Sequence, residues 1–164
     1  MAKQETKISE ETDIDNKAEA NNIIRKRVYA SVGAGFVPVP IFDVLALSGI
    51  QIEMVSRLAK LYEIPFRKDI VKTTITALVG GIVPVAATPL AASLFKVIPV
   101  IGYTTSAVTL SAAGGATTYA IGKVFAQHFE SGGTLLNFNA EKVQEYYQEK
   151  FKEGEKVAAG AKAK

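Results

Sequence analysis

The feature that most constrains this chain is a run of 50 residues, 73–122, in which Lys96 is the only charged residue. By contrast, residues 1–20 hold six acidic side chains and three lysines. As helices, the uncharged segments 73–95 and 97–122 would each reach roughly 35 Å, and a hydrocarbon layer is about 30 Å thick. We therefore predict that the chain is held in or on a membrane.

Glycine and proline interrupt the apolar stretches, and proline inside a helix removes a backbone donor and kinks or breaks the helix. The motif at 35–39 recurs 46 residues later at 81–85, which indicates either two similar hairpins or a chance match between apolar sequences. These breaks favour a re-entrant first hairpin over 28–52 and leave residues 97–122 as the best candidate to cross the membrane. The predicted turn residues are Gly35, Pro38, Pro40, Gly81, Pro84, Pro89 and Pro99.

The sequence predicts an all-α fold of helical hairpins broken at Gly/Pro motifs, membrane-embedded or membrane-associated, with a C-terminal amphipathic helix. Residues 1–17 have few large apolar side chains and no periodicity, so we expect a disordered polar tail. Residues 18–130 form the predicted hydrophobic hairpin domain. Residues 131–152 are expected to carry the amphipathic helix, with Asn139 as its N-cap, before a flexible tail over 153–164.

Small residues recur at four-residue spacing within 97–122, a pattern that lets helices approach closely in lipid. The predicted helix-packing residues are Gly102, Ser106, Ala107, Ser111 and Gly115. Glu53 and Arg57 are spaced for an ion pair along one helix. Basic residues flank the apolar stretches, which by the positive-inside rule places them, with both tails, on the cytosolic side of a bacterial inner membrane. The predicted membrane-surface basic cluster is Arg25, Lys26, Arg27, Arg67 and Lys68.

Asp43 is the one carboxylate inside the first apolar stretch. A charge at the bilayer centre costs roughly 2.5–3.5 kcal/mol on insertion scales, so this residue needs a partner. One interpretation is an ion or proton contact or a buried ion pair, which makes Asp43 a candidate polar site. We favour the other, in which Asp43 caps the helix that restarts after Pro40.

The composition excludes several kinds of chemistry. The chain has no cysteine and a single histidine, His128, which excludes thiol catalysis and histidine-rich metal sites. Neither a phosphate-binding loop nor a nucleophile motif occurs, so we predict no catalytic residue, cofactor or metal. Basic residues do not interleave with aromatics on one face, which argues against nucleic-acid binding. The acidic start differs from a secretory signal peptide, so we expect the N-terminus to stay in the cytosol.

The segment 37–43, V-P-V-P-I-F-D, followed by the patterns at 50–55 and 58–62, resembles the bacterial YcjF-like family of unknown function. Its domain is often found behind a small GTPase domain, and the resemblance covers about residues 18–130. It implies a helical, membrane-associated module that partners GTPases or copies of itself. No GTPase motif occurs here, so a GTPase partner is expected in trans. The residues that match the family pattern by position, as markers of the turn and the following helix, are Pro38, Pro40, Asp43 and Gln51.

Three functional hypotheses follow from these patterns. The first, which we prefer, is a non-enzymatic membrane-embedded scaffold that binds lipids, forms a homo-oligomer and recruits partners such as GTPases at the cytosolic face. The second is a channel or pore-forming module, based on Asp43 and on the serines and threonines of residues 97–122. The third is a soluble oligomeric helical bundle that buries its apolar stretches between copies.

Overall fold

The computed structural model describes residues 2–34, 40–80 and 103–161, and within them side chains over 9–34, 46–80 and 111–161. These residues form helices and loops without any strand, which confirms the all-α prediction. The helices are α1 Ala2–Ala34, α2 Pro40–Leu61, α3 Lys68–Gly80, α4 Tyr103–Glu130 and α5 Gln144–Ala161.

Helix α4 is the centre of the bundle, and its neighbours run along it in alternating directions. Helices α1 and α5 are antiparallel to α4, whereas α2 runs parallel to it. All four therefore bury one stripe against a shared core, which is how an amphipathic helix gains most of its stability. The contacts that fix these directions are Lys17–Glu130, Val32–Ser111, Tyr119–Glu153, Gly115–Ala158, Gln51–Thr118 and Tyr62–Phe129.

Helix α3 lies against the core near the C-terminal end of α4. It buries Val71, Ile75 and Leu78, whose spacing of four and three residues places them on one face. The Gln144 side-chain amide donates to the Leu78 carbonyl oxygen at 3.3 Å, which brings the end of α3 to the start of α5. This end of the bundle thus collects the end of α2, the end of α4 and the start of α5.

The tail prediction for residues 1–17 was wrong, because α1 is already helical from Ala2. The segment is rich in Glu and Lys, which favour helix without needing a core. Asp13 also lies four residues before Lys17, in the favourable order for a helical charge pair. A scarcity of large apolar residues is therefore compatible with a helical extension of the packed helix.

The C-terminal boundaries also differ from those predicted. Helix α5 begins at Gln144 and runs to Ala161, through most of the segment expected to be a flexible tail. It continues because Gly154 and Ala158 are buried against α4. The Asn139 side chain does accept a hydrogen bond from the Lys142 N–H at 3.0 Å, but it caps a turn that precedes the helix proper.

Candidate functional site: a small-residue packing face at a charge-poor end

One face of α4 carries small residues where α1 and α5 cross it. Ser111 and Gly115, two of the predicted packing residues, are both buried there. A Cβ atom added at Gly115 would lie 2.7 Å from Val32 Cγ2 and 2.8 Å from Ala158 Cβ, closer than such atoms approach. Only glycine fits this position without a shift. The partners of this face belong to the same chain, so within the protomer the face is already occupied.

Two further close contacts extend this face, and sequence reasoning missed both. A Cβ at Gly122 would lie 2.7 Å from Ile24 Cγ1, and one at Gly154 would lie 2.8 Å from the Ala116 carbonyl oxygen. Gly122 follows Gly115 by seven residues, two turns further along the same helix face. That spacing was a usable signal. Gly154 offered none, because it lies in a charged segment.

A buried polar cluster lies beside the small-residue face. Ser31 Oγ and Thr118 Oγ1 are 2.8 Å apart, and the Gln51 amide donates to Thr118 Oγ1 at 3.3 Å. Ser111 Oγ donates to the Val32 carbonyl oxygen at 2.7 Å. A buried hydroxyl or amide without a partner costs about 1–3 kcal/mol, so these bonds fix the register of α1 and α2 against α4. Gln51, predicted only as a marker of the second helix, thus contacts α4.

Charge divides the bundle into two ends. No charged residue occurs in 28–34 of α1, in 103–122 of α4 or in 157–161 of α5, and residues 40–52 of α2 contain Asp43 alone. The helix directions bring these four segments to the same end of the bundle. We call it the charge-poor end. The opposite end, where α2 and α4 finish and α5 begins, is the charged end.

One residue of the predicted basic cluster on α1, Arg27, forms an ion pair within the fold. Arg27 Nη2 donates to Glu53 Oε1 at 2.5 Å, and Arg57 Nε donates to the same oxygen at 2.6 Å. The Glu53–Arg57 pair confirms the sequence prediction. Burial opposes ionisation of Glu53, but the hydrogen bonds from Arg57 and Arg27 outweigh it and lower its pKa. Arg25 and Lys26 remain exposed.

Arg67 and Lys68 lie at the start of α3, on a different helix from the basic residues of α1. Both are exposed. The five predicted basic residues thus belong to two different helical regions, and their role as one membrane-surface cluster stays a prediction.

Aromatic rings fill the charged end. The Phe125 and Phe138 rings stack with centroids 4.8 Å apart, and Phe129 lies 5.7 Å from Phe125. His128 meets the edge of Phe138 at 4.9 Å, and its Nε2 is 2.9 Å from the Thr134 carbonyl oxygen. His128 thus holds the α4–α5 loop in place. No group of three metal-ligating side chains occurs in the portion of the chain with described side chains.

A polar cluster joins α4 to α5 on the outer side of the bundle. The Tyr119 hydroxyl donates to Glu153 Oε1 at 2.6 Å, and Lys150 Nζ lies 2.8 Å from Glu153 Oε2. The hydrogen bonds from Lys150 and Tyr119 lower the pKa of Glu153 despite some burial. Lys123 Nζ lies 5.5 Å above the Tyr119 ring, and burial lowers its pKa. Every charged group of the cluster is paired or stacked. The cluster therefore serves to hold α5 against α4.

Many predicted site residues lie where only the backbone is described or outside the described residues. Pro40 is the first residue of α2, where its missing N–H costs no helical hydrogen bond. Asp43, Ser106 and Ala107 lie in helices for which only the backbone is described at those positions, so the proposed roles of Asp43 stay predictions. The predicted residues outside the described ranges are Gly35, Pro38, Gly81, Pro84, Pro89, Pro99 and Gly102.

None of the helices within 2–34, 40–80 and 103–161 contains a segment both long and apolar enough to cross a membrane. The expectation for residues 97–122 is thus not supported over the part that α4 covers. Serine, threonine and glycine occupy many positions of this helix and lower its mean hydropathy.

The fold and its packing site define the chain as an all-helical bundle module. The family model for the domain of unknown function DUF697 matches residues 2–156, so the chain belongs to that family, which confirms the resemblance inferred from its sequence. Over 146 residues it is 41% identical to magnetosome membrane protein 22 of Magnetospirillum gryphiswaldense, an alignment covering 88% of this chain and 75% of the relative. No solved structure matches the chain.

Proposed function

We propose that this protein is a non-catalytic, membrane-associated scaffold that contacts lipid with its charge-poor end and partners with its charged end. The observation that carries the proposal is the division of charge along the bundle, in which four segments with one carboxylate among them share one end. The relative's description as a membrane protein supports it.

The charge-poor end suits an apolar environment because the buried hydroxyls described there are bonded within the bundle. Backbone groups in lipid need internal partners, which helices provide. The hydroxyls of Ser31, Ser111 and Thr118 bond within the bundle. Small exposed residues such as Ala46 and Gly49 form part of the outer surface there.

The charged end suits water and partner proteins. Lys60, Arg67, Lys68 and Lys72 are all exposed there. The positive-inside rule assigns such residues to the cytosolic side, here of a bacterial inner membrane. On this proposal the charged end mediates self-association and recruits a partner such as a GTPase in trans, the partner class that the family resemblance implies.

A matched pair of substitutions tests which end meets the membrane. Ala46 in α2 and Ala77 in α3 are both exposed alanines in helices, at the charge-poor and the charged end respectively. Ala46→Asp places a carboxylate in lipid at a cost of up to roughly 2.5–3.5 kcal/mol, so vesicle flotation of the purified protein should fall sharply. Ala77→Asp should float like the wild type. Equal flotation of both variants would contradict the proposal.

A further inference from the structure

The outer face of α1 changes from basic to apolar along one stripe. In the second half of the helix the exposed residues recur every three or four positions, so they lie on the side turned away from the bundle. Toward the charge-poor end they pass from two cations through a tyrosine to small apolar residues. These residues, here called the α1 stripe, are Asn22, Arg25, Lys26, Tyr29, Ala30 and Gly33.

The two cations of the α1 stripe lie where the charge-poor end begins. A Cβ atom added at Gly122 would lie 2.7 Å from Ile24 Cγ1 and 3.0 Å from Met54 Sδ, so α1, α2 and α4 meet at this level. The two cations directly follow Ile24 in the sequence. From here the uncharged segments 28–34 and 103–122 extend to the charge-poor end. The α1 stripe therefore crosses the boundary between the charged and the charge-poor parts of the bundle.

Within the described part of the chain, these two cations form no ion pair with a carboxylate. Arg27, the third cation of the predicted cluster, differs because it is paired with Glu53 on α2. The Arg25 guanidinium instead donates from Nη2 to the Tyr29 hydroxyl oxygen at 3.4 Å. Lys26 is exposed beside it. Two positive charges are thus available to an anion from outside the protein.

The donors of the α1 stripe suit a phosphate group, because a guanidinium binds phosphate oxygens in pairs and an ammonium adds a compact charge. Tyrosine has an apolar ring and a polar tip, which suits a membrane–water interface. Beyond Tyr29 the surface is open, since a Cβ atom added at Gly33 would meet no atom within 4 Å. A soluble phosphate would use the donors alone, whereas a phospholipid would use the donors and the apolar surface next to them.

We propose that the α1 stripe binds an anionic phospholipid, with its phosphate at Arg25 and Lys26 and an acyl chain along Tyr29, Ala30 and Gly33. The lipid is anionic because two cations meet one phosphate, whereas a zwitterionic headgroup brings an ammonium group of its own. A lipid bound in this way fixes how deeply the bundle enters the membrane. The inference names the lipid class at the charge-poor end and rests on the proposed membrane contact.

The lipid composition of vesicles tests this proposal. The full chain is floated with vesicles of phosphatidylcholine alone and with vesicles that also contain phosphatidylglycerol. The wild type should bind the anionic vesicles about tenfold more strongly or more, because each cation near an anionic surface adds to the attraction. Arg25→Gln with Lys26→Gln keeps good helix formers in place, so this variant should lose most of that preference and still bind phosphatidylcholine like the wild type.

Two controls sharpen the test. Arg67→Gln with Lys68→Gln removes the same number of charges from exposed positions at the start of α3, and it should keep the full preference for anionic vesicles. Glycerol phosphate carries the phosphate group without acyl chains. Added at constant ionic strength, it should not release the wild type from anionic vesicles.

A wild type without preference for anionic vesicles, an Arg25→Gln, Lys26→Gln variant that keeps the preference, or a control variant that loses it equally would each overturn the inference. Release by glycerol phosphate would overturn it too, by assigning the cations to a soluble phosphate. The proposed membrane contact fails in a different way, through equal flotation of the Ala46→Asp and Ala77→Asp variants. Loss of the anionic preference alone, with phosphatidylcholine binding retained, supports both proposals.

Discussion

The two ends of the bundle are held together by different contacts. At the charge-poor end the helices approach through glycine and serine, with Gly115 closest to α1 and α5. At the charged end they meet through large rings, with Phe125 fully buried between its neighbours. The first arrangement depends on small volume and hydrogen bonds, and the second on the burial of apolar area.

This difference shows why hydropathy alone describes the chain poorly. Large side chains gain stability by leaving water, which is the driving force of a core in aqueous solution. In lipid that force is absent between helices, and close packing of small residues with interhelical hydrogen bonds takes its place. The charged end is therefore packed like a core in aqueous solution, and the small-residue packing of the charge-poor end supports the proposal that this end contacts lipid.

The largest expected effect concerns the charged end. Phe125→Ala removes a fully buried ring and should lower the free energy of unfolding by about 3–5 kcal/mol, measured by chemical denaturation followed by circular dichroism. Leu136→Ala serves as the control, because Leu136 is 80% exposed and its truncation should change stability by less than about 0.5 kcal/mol. Similar losses in both variants would show that the rings do not form the core of this end.

Adjacent glycines test the charge-poor end. Gly115→Ala forces a Cβ against Val32 and Ala158 and should destabilise the protein by about 1–3 kcal/mol. At Gly114 a Cβ would make an ordinary contact, 3.6 Å from Leu47. Gly114→Ala should therefore be neutral or stabilising by up to about 1 kcal/mol through helix propensity. Thermal unfolding that ranks the two variants in the reverse order would refute close packing at this position.

The buried hydroxyl cluster gives the next effect. Thr118→Val keeps the side-chain shape but leaves Ser31 and Gln51 without their shared partner, at an expected cost of about 1–3 kcal/mol. Thr76→Val is the matched control, since the exposed Thr76 hydroxyl bonds only to the Lys72 carbonyl of its own helix. Denaturation midpoints should separate the two variants. Equal midpoints would mean that the cluster adds nothing to helix registry.

The smallest effect concerns the Glu53 ion pairs. Because the pKa of Glu53 is lowered in the folded state, its contribution to stability is present above the ordinary carboxyl pKa and disappears as the pH falls through the folded value. Glu53→Gln should cost at most about 1 kcal/mol at neutral pH, since Glu53 is 46% exposed. The melting temperatures of variant and wild type should converge in acid.

Glu155→Gln, at an exposed position of α5, should follow the wild type at every pH. A Glu53→Gln deficit that grows as the pH falls would contradict the assigned direction of the pKa shift.

Local sequence patterns predicted the contacts that lie within one helix, but they did not predict the contacts between segments distant in the sequence. The Glu53–Arg57 pair follows from spacing alone. Four-residue recurrence singled out Ser111 and Gly115, but no local rule indicates that Ala158, in a segment expected to be flexible, packs on Gly115. The polar tail was mistaken for disorder because α1 draws its support from packing that begins at Ala20, beyond that segment.

The measurement that tests the central claim most directly uses the absence of native cysteine. Ala46→Cys and Ala77→Cys place single thiols at exposed helical positions of the charge-poor and charged ends. In inverted inner-membrane vesicles, a membrane-impermeant maleimide should label Cys at position 77 at once and Cys at position 46 only after detergent is added. Equal labelling of both positions before detergent would contradict the division of the molecule into a lipid-facing and a water-facing end.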